Sequence, residues 1–579
     1  TEIQRLQIGA TLNLSTNEVN KEKYLELNNS FGSFNTWKNT LKLGTGLLGH
    51  HFLIDARLSR ISSDGYIDRA TSDLKSLYFS AAWIDEKSSL RFNIISGKEK
   101  TYQAWYGVPE NLLDSDRTYN PAGTEKPGAP YANETDNYTQ THYQLFFNHK
   151  IRSSLSYNIA AFLSRGKGYY EEYRADQSYA GYGVPDFVSG SDTLTSTDLV
   201  RRLWLDNYFY GSVLSLQYHR NRTQLTVGGG WTQYKGGHYN IVTWAQQGFP
   251  ADYRYYNAPA TKTDLNIYAK LMQTLGNGYT GFVDLQGRWV SYRIRGFEDH
   301  PDITVDKEYT FFNPRAGISF NRNDLQVYLS LSVAAKEPNR DDYEAGLDQI
   351  PRPEILYDVE WGIEKKNADF SYGATVYYMY YHNQLVNTGK INDVGAYTRT
   401  NTPESYRAGI ELQGSAVLSE WMNIAGNFSF SRNKIRNFTE YIDNYDDASG
   451  IQKLNEYHHT DISFSPDGVG AAEVNLIPVK NGELSFQSKY VGRQFLDNTS
   501  HISRSVNPYF VENIKCSYSL LKKIPRRIDF VFQVNNVFNK KYESSGYTYN
   551  YIESGQLAVE NYYFPMAGIH FMAAIQIRF

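Results

Sequence analysis

Stretches of strict alternation between apolar and polar residues recur along this chain, a period of two that a half-buried strand needs and a helix cannot use. Leu325, Val327, Leu329, Leu331 and Val333 interleave with Gln326, Tyr328, Ser330 and Ser332. Ile528, Phe530, Phe532 and Val534 alternate with Asp529, Gln533 and Asn535, and the pattern returns at Leu225, Val227, Gly229 and Trp231 and at Leu90, Phe92 and Ile94. At the carboxy terminus Phe571, Ala573, Ile575, Ile577 and Phe579 share one face, with Met572, Ala574, Gln576 and Arg578 on the other. Each segment reads as a strand with one greasy face.

The connections between these segments alternate in length. Short polar turns fall at Asp85–Ser88, Arg220–Arg222, Asn321–Asp324 and Lys480–Gly482, and long loops are expected at Thr101–Asp136, Tyr169–Asp206, Lys235–Thr261, Asn437–Gly468 and Tyr542–Pro565. Roughly 22 strands fit between Lys23 and Phe579, an even number that closes an antiparallel barrel with both ends on one side. The predicted fold is therefore all-β: a transmembrane antiparallel β-barrel with short periplasmic turns and long extracellular loops. A soluble propeller or sandwich predicts no such two-sided asymmetry. Closure also removes strand edges, whose unpaired backbone groups would cost several kcal/mol each against lipid.

Composition agrees. Aromatic residues make up 15% of the 579 residues, with 49 Tyr, 30 Phe and 9 Trp, types that favour strands and the membrane–water boundary. Mean hydropathy is −0.55 and no run of about 18 apolar residues is present, so a membrane-spanning helix is not available. A barrel strand needs only every second residue to be apolar, and low hydropathy follows. Cys516 is the single cysteine; it excludes an internal disulfide framework and reads as a packed wall residue. The net charge of −4 lacks the basic excess of a phosphate-binding surface and argues against nucleic acid as a partner.

Three segments carry a family resemblance. Phe530-Val-Phe-Gln-Val-Asn-Asn-Val-Phe-Asn-Lys-Lys-Tyr542, followed by a strand ending at Phe579, resembles the close of TonB-dependent outer-membrane receptors. Ala335-Lys-Glu-Pro-Asn-Arg-Asp-Asp-Tyr343, with Pro351-Arg-Pro-Glu-Ile-Leu-Tyr-Asp-Val-Glu-Trp-Gly362, looks like the Bacteroidetes form of a loop in the same family; Ser405-Tyr-Arg-Ala-Gly-Ile-Glu-Leu-Gln413 is a third match. Ile8-Gly-Ala-Thr-Leu-Asn-Leu-Ser-Thr16 resembles the last strand of such a receptor's plug. The resemblance divides the chain into residues 1–22, the end of a plug domain and linker, and residues 23–579, the receptor barrel. It implies a TonB energy-coupling partner acting through a plug region upstream, a surface lipoprotein as a possible second partner, and residence in the outer membrane of a Gram-negative bacterium.

Catalytic patterns such as GxSxG, HExxH or a Walker loop are absent from the sequence, so an enzyme is not expected, nor is a resident cofactor. Candidate ligand-binding residues are the aromatic and imidazole side chains of the outer loops: Trp105, Tyr106, Tyr170, Tyr173, Trp244, Tyr255, Tyr256, His458, His459, Tyr549 and Tyr551. Rigid amphipathic rings give large contact area at little entropy cost, and imidazole is the commonest metal ligand. The competing readings are an interfacial aromatic girdle for the rings and solvated loop positions for the histidines. The expected function is active uptake of a scarce nutrient complex: an iron chelate, haem or a cobalamin-like corrinoid. A passive pore or structural surface barrel is the alternative.

Overall fold

The computed structural model describes residues 20–298, 300–345, 350–392, 394–447, 449 and 451–579; the Ile8–Thr16 segment lies outside them. Twenty-six strands join one sheet; four of these belong to outer loops, and the remaining twenty-two close the wall. Closure is made by the first strand, Lys23–Gly32, against the last, His570–Arg578, in the register Glu26↔Arg578 to Gly32↔Met572. Consecutive wall strands pair antiparallel throughout. The turns at 85–87, 221–222, 323–324 and 480–481 fall where the polar dipeptides and tripeptides place them. Ten connections of two to six residues lie at one rim; at the other, all but those at 33–35 and 392–396 are longer, as expected for periplasmic and extracellular ends.

The alternating faces are as the sequence requires. Leu329 and Leu331, with Val359 and Trp361 opposite them, are exposed on the outside of the wall, while Ser330 is buried on the lumen side. Phe530, Phe532, Phe571 and Ile575 likewise face outward. Cys516 sits in the wall but on its exposed outer face, between Leu484 and Phe532.

The long loops differ from expectation. Leu155–Ser178 and Ser196–Arg220 are strands of 24 and 25 residues, so most of the Tyr169–Asp206 segment is paired wall and the connection spans only 179–195. The same holds for Lys235–Thr261, whose connection shrinks to 246–252. A bilayer takes about 9 to 11 residues per strand, so more than half of each long strand stands clear of the membrane. There both faces meet water or loops, the period of two fades from the side chains, and only backbone pairing continues. The Tyr542–Pro565 segment is a hairpin, Glu543–Glu553 with Gln556–Pro565, and Lys453–Asp461 adds a short strand to the rim beside Met422–Asn444.

Buried apolar clusters sit at the outer end of the barrel. Val290, Ile294 and Tyr292 on the lumen face pack with Phe297, Val305, Phe311 and Tyr343, so the outer loops fold inward onto the wall.

Candidate outer-membrane receptor mouth

The single α-helix among the described residues, Arg340–Ala345, begins within the Ala335–Tyr343 motif. Asn339 caps it: its Oδ1 accepts the Asp342 backbone N–H at 3.0 Å, and the Asp342 carboxylate accepts the Asn339 N–H at 2.7 Å. This is a reciprocal capping box. The rest of the motif anchors the loop. Glu337 takes Lys262 Nζ at 2.5 Å and Arg288 Nη1 at 2.8 Å. Asp342 takes both Arg399 Nε and Nη2, at 2.8 and 2.7 Å, and Tyr343 is buried in the mouth cluster. Further along the matching sequence, Glu354 accepts the Leu385 N–H at 3.0 Å. The Ala335–Tyr343 motif therefore holds its loop into the mouth by buried charge.

Burial and charge compete at these carboxylates. Glu337 is pushed up by burial, but Lys262 and Arg288 overcome this and hold it below the usual carboxylate range. At Asp342 burial wins over Arg399, and the group lies above its ordinary value. Glu134, in the loop after Tyr102, is pushed up to about 7 by burial, with Glu172 and Glu125 adding to the rise and the Tyr173 N–H opposing it.

The hairpin Glu543–Pro565 ties the loops together. Tyr547, almost fully buried, stacks on Tyr562 at 4.8 Å and accepts the Gly107 N–H at 3.2 Å. Tyr549 donates to the Ile391 carbonyl at 3.0 Å, and Tyr397 donates to Gly546 O at 2.7 Å. Arg117 reaches Glu543 at 2.5 Å, and Asn561 donates to Glu110 and to Ser503 O. Behind the hairpin Arg504 is buried between Glu440 at 2.5 Å and Asp497 at 3.0 Å. Trp105 meets Tyr170 edge-on at 5.1 Å, and Gly395, from the opposite side of the ring, lies against it. A Cβ on Gly395 would come within 3.0 Å of the Trp105 Cβ, and its φ of +74° also favours glycine. Loops from opposite sides thus meet over the lumen.

The sequence-predicted residues divide into groups. Trp105, Tyr106 and Tyr170 join Tyr549 at the meeting point of loops and hairpin; Tyr106 is half-buried there. Tyr255 and Tyr256 form a second group: Tyr255 packs on Tyr182 at 4.6 Å and donates to Glu298 at 3.4 Å, and Tyr256 accepts from Arg340 Nη2 at 3.2 Å. Tyr173 and Trp244 are not in the mouth. They stack at 6.4 Å through the register Tyr173↔Val200↔Trp244, on the face that carries Tyr169 outward, and Tyr173 donates to Asp198. Tyr551 lies near the hairpin tip, bonded to Glu560 at 2.7 Å.

His458 and His459 are exposed at the rim, His458 bonded to Asn437 at 2.7 Å, whereas the neighbouring Tyr457 turns inward to Glu440. The aspartates near them in sequence are engaged elsewhere, Asp461 with Lys434 at 2.5 Å and Asp443 with Lys390 at 3.1 Å. Among the described residues no group of three or more His, Cys, Asp or Glu is placed to hold a metal ion. Two arginines escaped the sequence reading. Arg340 lies over the Phe297 ring at 4.5 Å, and Arg201 bridges Glu172 at 2.9 Å and Glu298 at 3.4 Å. Arg340 lies within the Ala335–Tyr343 motif; no sequence pattern marks Arg201.

A closed wall of twenty-two antiparallel strands, apolar outside, with its mouth crossed by loops, defines a large outer-membrane barrel. A family model described as TonB dependent receptor-like, beta-barrel, matches residues 90–537. The chain belongs to that family, whose members reside in the outer membrane of Gram-negative bacteria and take up nutrients. Solved structures agree in fold. The siderophore receptor PiuA from Acinetobacter baumannii is 13% identical, with 98% of this chain and 83% of that one aligned at a TM-score of 0.70. The ferric yersiniabactin uptake receptor FyuA from Yersinia pestis gives 13% identity, 97% and 81% coverage and 0.71; the copper transporter OprC gives 11%, 98% and 82%, and 0.72. No curated protein matches the chain by sequence.

Proposed function

We propose that this receptor binds a small metal complex, an iron chelate, haem or a corrinoid, at its mouth and imports it with TonB-derived energy through a plug domain. The observation that supports this reading is the meeting of loops from opposite sides at Trp105, Tyr170 and the hairpin tyrosines, with a second aromatic group at Tyr256 and Arg340. Aromatic side chains and an arginine crossing the mouth suit the holding of a ligand more than free diffusion. The names of the structural neighbours, receptors for siderophores and transporters of ferric citrate and copper, support the same substrate class. A surface lipoprotein delivering the complex would dock on the exposed hairpin tip.

Binding is tested by indole fluorescence of the full-length gene product in detergent, titrated separately with ferric citrate, haemin and cobalamin. Saturable quenching by one of them, reduced by Trp105→Phe and weakened by Arg340→Gln, is expected. Absence of saturable quenching by all three, together with free passage of small neutral solutes through reconstituted protein, would favour the passive pore.

A further inference from the structure

On the outside of the wall, above the apolar band, basic side chains face one another across successive strands. In register, Arg60 lies opposite Lys75, Lys75 opposite Lys98, Lys98 opposite Thr139, Thr139 opposite Lys167, and Lys167 opposite Asp206. One step toward the membrane, Arg165 lies opposite Tyr208, and Tyr208 opposite Lys235. These residues share the face of Leu58, Leu77, Leu90, Phe92, Leu163 and Leu225, which are exposed to the outside. Lys98 is ten residues beyond the start of its strand at Ser88, which for a tilted strand is about 25 Å from the periplasmic edge, the top of the apolar band. The stripe therefore runs at the level of the outer-leaflet headgroups.

Like charges directly opposite on neighbouring strands repel, and the stripe holds too few carboxylates to cancel them. Asp73 serves both Arg60 at 2.9 Å and Lys75 at 3.2 Å, and Asp206 serves both Arg165 at 2.6 Å and Lys167 at 3.5 Å. Lys98 is exposed and has no hydrogen-bond or ion-pair partner among the described residues. Elsewhere on the outer face Arg295 holds Asp306 at 2.9 Å and Arg436 holds Glu404 at 2.7 Å, and the exposed Arg432 lies opposite Ala408 rather than a second cation. Two residues further out, the stripe is backed by a shelf of rings. Tyr169 meets Trp204 at 4.6 Å, Trp204 stacks on Tyr239 at 5.8 Å, and Arg254 lies 3.9 Å over Tyr239.

We propose that this arc of the outer wall is a docking site for the phosphorylated headgroup of an outer-leaflet glycolipid. The lysines and arginines supply cations to phosphate, the ring shelf supplies faces to the sugar, and the exposed leucines directly below receive the acyl chains. Charge complementarity and continuity with the apolar band select a lipid over a free anion, which has nothing to gain from the leucines.

The test is native mass spectrometry of the full-length protein in neutral detergent with added bisphosphorylated lipid A, and in parallel with its dephosphorylated form and with inorganic phosphate alone. The wild type is expected to retain the bisphosphorylated lipid and neither of the other two. Each basic residue beside an anionic surface is worth roughly fivefold in affinity, so K75Q/K98Q/K167Q is expected to weaken retention on the order of a hundredfold with its melting temperature unchanged. R295Q/R436Q, outside the arc, is expected to leave retention as in wild type. Equal retention by the triple variant, equal retention of the dephosphorylated lipid, or matching capture of inorganic phosphate would each overturn the proposal. If the triple variant fails to fold, K98Q alone, at the unpaired lysine, is expected to weaken retention about fivefold; no change there would overturn it too.

Discussion

Replacing Asp342 by alanine should release the 337–344 segment from the mouth while leaving the barrel closed. The Asp342 side chain is 1% exposed, accepts two hydrogen bonds from Arg399 and one from the Asn339 N–H, and its removal strands a guanidinium that is itself only 19% exposed. Breaking one side of a buried pair costs about 3–5 kcal/mol, and losing the cap about 1 kcal/mol more. Against this stands the burial of Tyr343, at most about 3 kcal/mol, and a six-residue helix that has little stability of its own. Docking is therefore lost. Hydrogen exchange measured by peptide should show the 337–345 amides losing on the order of a hundredfold protection, equivalent to about 3 kcal/mol, with the strand amides of 325–336 and 354–366 unchanged. The pair Asp342→Ala with Arg399→Leu should recover part of the protection, because the stranded charge is gone. Unchanged protection in the single variant, or loss of the whole folded barrel, would refute the idea that the motif locks a loop and not the wall.

Leu329→Arg places a charge against lipid and should cost about 2–4 kcal/mol of barrel stability, whereas Ser330→Arg, facing the lumen opposite Glu360, should cost far less; equal loss of the heat-modifiable form in both would contradict the assigned faces. Glu134 lies at about 7 in the folded protein, above its ordinary 4.5, so the stability it contributes is fully present below about 4.5 and is lost as pH rises through about 7. Limited proteolysis of the 103–134 loop should accordingly quicken between pH 6 and about 8, and Glu134→Gln should abolish that pH dependence. His458→Ala with His459→Ala should leave binding of ferric citrate, haemin or cobalamin unchanged, since both rings are exposed at the rim; a marked loss of affinity would return them to the site.

The wall was legible because lipid imposes a period of two that no other environment enforces so regularly. Leu329 against Ser330, and Phe530 against Asp529, could be assigned before any coordinate. The same signal fails above the membrane: Tyr169 to Asp206 read as loop because, once lipid no longer selects one face, Tyr169, Trp204 and Arg202 are as acceptable outward as leucine is lower down. The mouth was legible in composition but not in geometry. Rings were expected at the outer end, yet Tyr170 faces the lumen with the loop residue Trp105 against it, while Tyr173 and Trp244 face outward; parity along Leu155–Ser178 sets the two tyrosines, and a bulge at Val200/Arg201 turns Trp244. Nothing in the sequence marks a bulge. The motif from Ala335 to Tyr343 was read as family spelling, and its physical content, a capping box and two buried ion-pair networks, needs partners far apart in the chain: Lys262, Arg288 and Arg399.

Energy-coupled uptake through this mouth is tested by accumulation of radiolabelled metal complex, offered as ferric citrate, haemin or cobalamin, in cells carrying the full-length gene product, with and without a functional TonB. One of the three complexes is expected to accumulate inside the outer membrane above its external concentration, with accumulation falling to background when TonB is removed and dropping with Arg340→Gln. Entry of all three that only equilibrates with the medium and is indifferent to TonB would contradict energy-coupled uptake and identify the barrel as a passive pore.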